Sequence, residues 1–180
     1  MKEIRIHGRG GQGSVVLAEM FAVAAFAGGK YSQAFPYLGG GGERRGAPVQ
    51  AFARISDDPI RLRSRIKDPD YVIVQDVSLL GIVDVFKGLK STGIVLINSE
   101  KEAKELGERV ITVPATHIAL EKLGVPITNT AIMGAFAAAT GELTLDAVEK
   151  VIRSRFPGVL GERNAEAAAA AYSLMKRCGE

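Results

Sequence analysis

The chain has 180 residues, 47% apolar and 24% charged, with a formal charge of +3. That length suits one domain over residues 1–180 with a buried core, the composition argues against disorder, and the mild, interspersed charge argues against a dedicated nucleic-acid binder. Cys178 is the one cysteine, so an internal disulfide is excluded, as is a self-contained zinc site or iron–sulfur cluster built from several thiolates.

Ile4 and Ile6 alternate with Glu3, Arg5 and His7, which predicts a short, half-buried strand arriving at Gly8. Leu17, Met20, Phe21 and Ala24 then recur at helical spacing, and Gly28-Gly29 end that helix. Lys30 to Pro36 reads as a second strand, followed by a loop containing Gly39 to Gly42. From Pro48 to Ile55 the residues Val49, Ala51, Ala53 and Ile55 alternate with Gln50, Phe52 and Arg54. The Asp57-Asp58-Pro59 turn leads into another alternating piece, so a hairpin is expected, with Arg61, Arg63 and Arg65 on one face and Ile60, Leu62 and Ile66 on the other.

Tyr71 to Val74 and Ile94 to Ile97 are short apolar runs of the kind found in central parallel strands covered on both faces. Val110 to Val113 reads as one more strand. Helices are expected over Ser78 to Phe86, Thr116 to Leu123, Asn129 to Thr140, Leu145 to Phe156 and Glu162 to Arg177, where the run Ala167 to Ala171 permits close packing. The pattern predicts an α/β, Rossmann-like three-layer sandwich with a mostly parallel central sheet and a short hairpin. No apolar run approaches about 20 residues and the first strand leaves no room for a signal peptide. A cytoplasmic protein without membrane contact is therefore expected.

Gly8-Arg9-Gly10-Gly11-Gln12-Gly13 matches G-x-G-x-x-G between a strand and a helix. Residues without Cβ atoms let a phosphate approach the backbone, and the N–H groups opening the helix face the anion. The same glycines would equally let a helix pack closely on a strand. A dinucleotide site also wants an acidic residue about 20 positions on, to hold the ribose, and none lies around Gln33. Neither a P-loop ending nor a nucleophile elbow is present, so catalysis by this chain alone is not expected.

Glu43, Arg44 and Arg45 follow the glycine loop, and adjacent guanidinium forks suit a carboxylate or phosphate. They would otherwise form a solvated charge cluster, whereas Arg61, Arg63 and Arg65 read as an exposed strand face or as charge protecting a sheet edge, with binding as the alternative. Asp76 either caps a helix through Ser78 or lines a crevice at the strand ends, and Asn129 and Thr130 carry the same alternative. His7 and His117 lack metal-site spacing and read as structural.

Taken together, GRGGQG at Gly8 to Gly13, QAFP at Gln33 to Pro36, ERRGAPV at Glu43 to Val49, PDYVIVQD at Pro69 to Asp76 and NTAIMGA at Asn129 to Ala135 resemble the gamma subunit of 2-oxoacid:ferredoxin oxidoreductases (pyruvate synthase among them), particularly the pyruvate and ketoisovalerate branch. Gly39 to Gly42 lengthen one intervening segment relative to that pattern. The resemblance implies an accessory chain in a complex that converts pyruvate or a related 2-oxoacid and coenzyme A into acyl-CoA and carbon dioxide while reducing ferredoxin. It implies thiamine diphosphate and iron–sulfur clusters on alpha, beta and delta-type partner subunits, with ferredoxin met indirectly. Carried over residue by residue, Gly8, Arg9, Gly10, Gly11, Gln12, Gly13 and Ser14 would receive coenzyme A phosphates. Arg44 or Arg45, beside Glu43, would complete the anion site or dock the catalytic subunits. The alternatives are a free-standing dinucleotide-binding oxidoreductase and a purely structural scaffold.

Overall fold

The computed structural model describes residues 1–37 and 45–178. Its elements are β1 (Lys2–Arg9), α1 (Ser14–Ala27), β2 (Tyr31–Tyr37), β3 (Pro48–Ser56), β4 (Tyr71–Val74), β5 (Ile94–Asn98), β6 (Val110–Val113), α2 (Ala115–Leu123), α3 (Asn129–Thr140), α4 (Leu145–Arg155) and α5 (Val159–Cys178). One sheet contains all six strands in the order β2-β3-β1-β4-β5-β6. Pairing is parallel from β1 through β4 and β5 to β6, and antiparallel for β1 with β3 and β2 with β3. The α/β class and the mostly parallel sheet are as the sequence pattern predicts.

The period-two alternation of the strands divides the interior. Ile4, Ile6, Ala51, Ala53, Ile73 and Leu96 join Leu17, Phe21, Ile132, Phe136 and Val148 in the larger core, under α1, α3, α4 and α5. Phe136 lies at its centre, with Phe21 edge-on at 4.7 Å and Tyr71 perpendicular at 5.3 Å. Such pairs add ~1 kcal/mol each to the burial itself. Gly134 allows α3 and α5 to touch: a Cβ there would collide with the Ala168 carbonyl oxygen.

The opposite sheet face has a smaller core of Val72, Val74, Leu79, Val85, Val95 and Ile97. Its cover is a 3₁₀ turn at Val77–Gly81 followed by turns, where the sequence suggests a helix from Ser78 to Phe86. Gly81 and the β-branched Ile82, Val83 and Val85 explain the difference, because they disfavour continuation of the helix. The third layer of the sandwich is thus thin and, among the described residues, holds the 3₁₀ turn in place of an α-helix.

Two charged side chains tie that layer down. Arg54 is 1% exposed. It donates to Glu3 Oε1 at 2.8 Å, Gln33 Oε1 at 3.0 Å, the Leu62 carbonyl at 3.4 Å and the Ser64 carbonyl at 2.6 Å. Arg5 donates to His7 Nε2 at 3.0 Å and to the Val85 and Lys87 carbonyls at 3.0 and 2.6 Å. The expectation of a half-buried β1 is corrected accordingly: Arg5 and His7 are buried too, because neighbouring chain supplies their hydrogen-bond partners.

The hairpin also changes partners. β3 already pairs on both edges, with β1 and β2, so residues 60–66 find no free edge and form no strand. The antiparallel hairpin is β2 with β3, and the carbonyls of the 60–66 segment are held by Arg54. Arg61, Arg63 and Arg65 are exposed on that segment, not on a strand face. The other expected helices match α2 to α5 within a few residues. Among the described residues, no helix is long and apolar enough to cross a membrane.

Candidate functional site

At the carboxyl ends of β1, β4 and β5 lies a crevice of about 570 Å³, lined by Gly11, Gln12, Gly13, Gln75, Asp76, Val77, Asn98, Thr116 and residues 126–129. Open parallel sheets bind ligands on this side because the helix N-termini point there. Three do so here. Gly13 precedes α1, Thr116 lies in the first turn of α2, and Thr128 precedes α3; none of these helices has an acidic residue in its first turn.

The glycine turn has a defined shape. Gly11 and Gly13 take φ values of 92° and 74°, which side chains with a Cβ rarely adopt. Gln12 N–H donates to the Arg9 carbonyl and the Gln12 Oε1 accepts from Arg9 N–H at 2.8 Å, closing the turn on itself. Part of the glycine requirement is packing. A Cβ on Gly8 would collide with Ser14 Oγ, and one on Gly13 would meet Asn129 Nδ2 at 2.6 Å.

Beneath the turn Gln75, 2% exposed, ends β4 and joins four elements. Its Oε1 accepts from Ser14 Oγ at 2.5 Å and its Nε2 donates to Asn129 Oδ1 at 2.8 Å. Asn129 Nδ2 donates back to the Gly13 carbonyl at 3.2 Å. Asn98 donates to the Gln75 carbonyl at 2.9 Å and to Thr116 Oγ1 at 2.9 Å, while its Oδ1 accepts from Thr116 N–H. The floor of the crevice is therefore a connected polar network.

Charge at the rim is balanced. Arg9 Nε donates to Asp76 Oδ2 at 2.9 Å and its Nη2 to Ser78 Oγ at 2.7 Å. Partial burial raises the Asp76 carboxyl's pKa, but hydrogen bonds from Ser78 and then Arg9 outweigh it and hold the group below its ordinary value. Ionised Asp76 thus offers the crevice a neutralised carboxylate.

The sequence candidates separate in space. Gly11, Gln12 and Gly13 line the crevice, and Arg9 stands at its edge through Asp76. Gly10 lies in the turn, with its N–H donated to the Ala47 carbonyl at 2.8 Å; its carbonyl accepts from Gly46 N–H at 2.9 Å. Arg45 bridges to Gly10 and packs its Cγ toward Gly11, so part of the arginine motif does reach the glycine turn. Gly8 belongs to β1, and Ser14 is buried with its hydroxyl committed to Gln75. Glu43 and Arg44, like the Gly39 to Gly42 loop, lie outside the described residues.

Both alternatives for Asp76 hold at once: it caps the 3₁₀ turn at Ser78 and lines the crevice. Asn129 lines the crevice, whereas Thr130 is buried and bonds Asn164. Sequence reasoning does not single out Gln75, Asn98 or Thr116 as site residues. Their one signal is a polar residue ending an apolar strand or opening the following helix. His7 accepts from Arg5, and burial followed by that guanidinium lowers its pKa to about 4, against the opposing Asp84. It remains neutral and structural.

The topology also explains the missing ribose acid. In a dinucleotide-binding fold the strand after the first helix lies beside β1, but here β3 is interposed and β2 stands at the sheet edge. The position next to the glycine turn is taken by Arg45 to Ala47.

Comparison with known proteins agrees with this arrangement. The family model described as "Pyruvate ferredoxin/flavodoxin oxidoreductase" matches residues 3–174. The "Pyruvate synthase subunit PorC" of Methanothermobacter marburgensis is 54% identical over 179 residues, covering 99% of this chain and 100% of that protein. The "Pyruvate/ketoisovalerate oxidoreductases common subunit gamma" of Thermococcus kodakarensis is 54% identical over 180 residues, covering 96% of each. The crystal structure of pyruvate oxidoreductase subunit PORC from Thermotoga maritima superimposes with a TM-score of 0.84 at 37% identity, covering 96% of this chain and 95% of that one.

Proposed function

The chain belongs to the pyruvate ferredoxin/flavodoxin oxidoreductase family, as an accessory gamma subunit of a multisubunit complex, and we propose that its crevice receives the phosphates of coenzyme A. The carrying observation is the convergence of three helix N-termini, none with a first-turn acid, on one crevice. Each contributes a partial positive charge, although the Thr116 N–H of α2 is already donated to Asn98 Oδ1, and together they suit an anion with several phosphate oxygens.

The residues take distinct roles. Gly11 and Gly13 hold the backbone in a shape that brings it close to a phosphate, and Gln75 and Asn129 keep that shape from relaxing. Arg9 neutralises Asp76 so that no free carboxylate opposes the ligand, and Arg45 adds positive charge beside Gly11. The apolar Val77 and Ile127, 50% and 54% exposed, form a lip suited to the ligand's less polar parts.

This role is binding and orientation. A thiol carried on a tethered phosphate presents its sulfur to a reaction centre elsewhere, and restricting its motion lowers the entropic part of the barrier. We assign thiamine diphosphate, which stabilises the carbanion left by oxoacid decarboxylation, and the electron-carrying iron–sulfur clusters to alpha, beta and delta-type subunits. The single Cys178 cannot furnish a multi-thiolate cluster.

Hydrogen exchange on the assembled complex tests the reading. Saturating coenzyme A should slow exchange in residues 11–16, 115–118 and 128–131. Unchanged exchange in all three segments, with protection confined to other subunits, would overturn it.

A further inference from the structure

Residues 61–67 carry four cations, Arg61, Arg63, Arg65 and Lys67, with no acid among them. All four are exposed. Among the described residues, neither they nor Lys87 across the adjoining cavity takes part in an ion pair. The nearby acids Asp57, Asp58 and Asp68 lie beyond the segment's ends in sequence, and Asp84 caps Phe86 N–H at 3.1 Å.

The segment is held in shape although it has no regular structure. From inside, buried Arg54 grips the Leu62 and Ser64 carbonyls while itself pairing with Glu3 at 2.8 Å. From outside, the Arg65 guanidinium lies over the Tyr37 ring at 4.7 Å. A cavity of about 790 Å³ runs beside it, with Tyr37, the cations Arg5, Arg65, Lys67 and Lys87 and the acids Asp68 and Asp84 in its wall, so positive charge predominates there. Leu62 and Ile82, 49% and 61% exposed, put apolar surface among the charges.

We propose that this cationic segment and the cavity beside it form a docking surface for an acidic face of a neighbouring subunit of the oxidoreductase complex. Shape favours a protein over a small anion, because the four cations lie along seven residues of chain, a stretch that can reach about 20 Å, and only Arg65 and Lys67 of the four line the cavity. The mixture of arginine with exposed Leu62, Ile82 and Tyr37 is typical of protein interfaces. A nucleic-acid surface would need a stronger basic footprint than a chain charge of +3. Holding the segment in advance reduces the ordering cost of docking, which gives the buried Arg54 a purpose beyond local stability.

The proposal rests on membership of a multisubunit complex and not on the coenzyme A reading. Its readout is assembly, so the two can fail separately.

The test compares the parent chain, Arg61→Glu/Arg63→Glu/Arg65→Glu, Arg61→Gln/Arg63→Gln/Arg65→Gln and Arg61→Lys/Arg63→Lys/Arg65→Lys. Each is co-expressed with the other subunits, and its association is titrated as salt rises from about 0.1 to about 0.5 M, a range that shortens electrostatic screening to a few ångströms. Parent association should weaken about tenfold over that range; the Glu variant should associate about a hundredfold less well at low salt, and the Lys variant within about threefold of the parent, as surface charge pairs at interfaces behave. The Gln variant introduces no new charge and guards against misfolding of the Glu variant. A Gln variant with the parent's thermal unfolding, affinity and salt dependence overturns the proposal. So does binding of a short single-stranded oligonucleotide that needs the three arginines while assembly does not.

Discussion

Gln75 Nε2 donates to Asn129 Oδ1 at 2.8 Å, and Asn129 Nδ2 donates onward to the Gly13 carbonyl at 3.2 Å, so the end of β4 and the start of α3 together hold the glycine turn. Gln75→Leu removes the bridge and leaves Ser14 Oγ and Asn129 Oδ1 without their partner in a buried site. Chemical denaturation should show a loss of ~1–3 kcal/mol, the cost of stranding buried polar groups. In the assembled complex the KM for coenzyme A should rise more than the KM for the oxoacid.

Two glycines in the same turn separate packing from backbone strain. Gly13→Ala suffers both a positive φ and a contact at 2.6 Å with Asn129 Nδ2. Gly11→Ala has the positive φ, but its nearest neighbour is the Arg45 side chain at 3.6 Å. Thermal unfolding should place Gly11→Ala about 1 kcal/mol below the parent and Gly13→Ala lower still. Equal losses would contradict the packing role given to Asn129.

The glycine turn, the strands and the helices α2 to α5 are legible in the sequence because local periodicity and strong breakers determine them. The 60–66 segment is not. Its alternation is real, but whether it becomes a strand depends on a free edge, and β1 and β2 occupy both edges of β3. Gln75 and Asn98 escape notice for a related reason: a polar residue ending a strand acquires a role only through elements distant in sequence, here Ser14, Asn129 and Thr116.

Arg54→Leu tests what holds that segment. It removes the ion pair with Glu3 and both carbonyl contacts to Leu62 and Ser64. A loss of ~3–5 kcal/mol is expected, the usual cost of breaking a buried pair from one side. Limited proteolysis should cut within 57–66 sooner than elsewhere.

His7 makes stability depend on pH. Its pKa falls to about 4 in the folded chain through burial and then the Arg5 charge, while its unperturbed value is 6.5. The unfolded chain therefore binds the extra proton first. Stability from this group is complete above pH 6.5 and is lost as pH falls toward 4, by up to ~3 kcal/mol. Denaturation of His7→Gln measured across this window should show a flatter slope than the parent; an unchanged slope would assign the pH dependence to other groups.

If the crevice holds the anion of coenzyme A, a charge placed at Ile127 will sense it, because this residue is on the rim, half-exposed and outside the polar network. Steady-state kinetics of the assembled complex should be compared for Ile127→Glu and Ile127→Lys. A like charge placed within several ångströms of a phosphate should raise the KM for coenzyme A about tenfold in the Glu variant, and the Lys variant should match the parent or bind more tightly, with the oxoacid KM unchanged in both. Identical coenzyme A KM values for the Glu and Lys variants would mean that the crevice does not hold this anion.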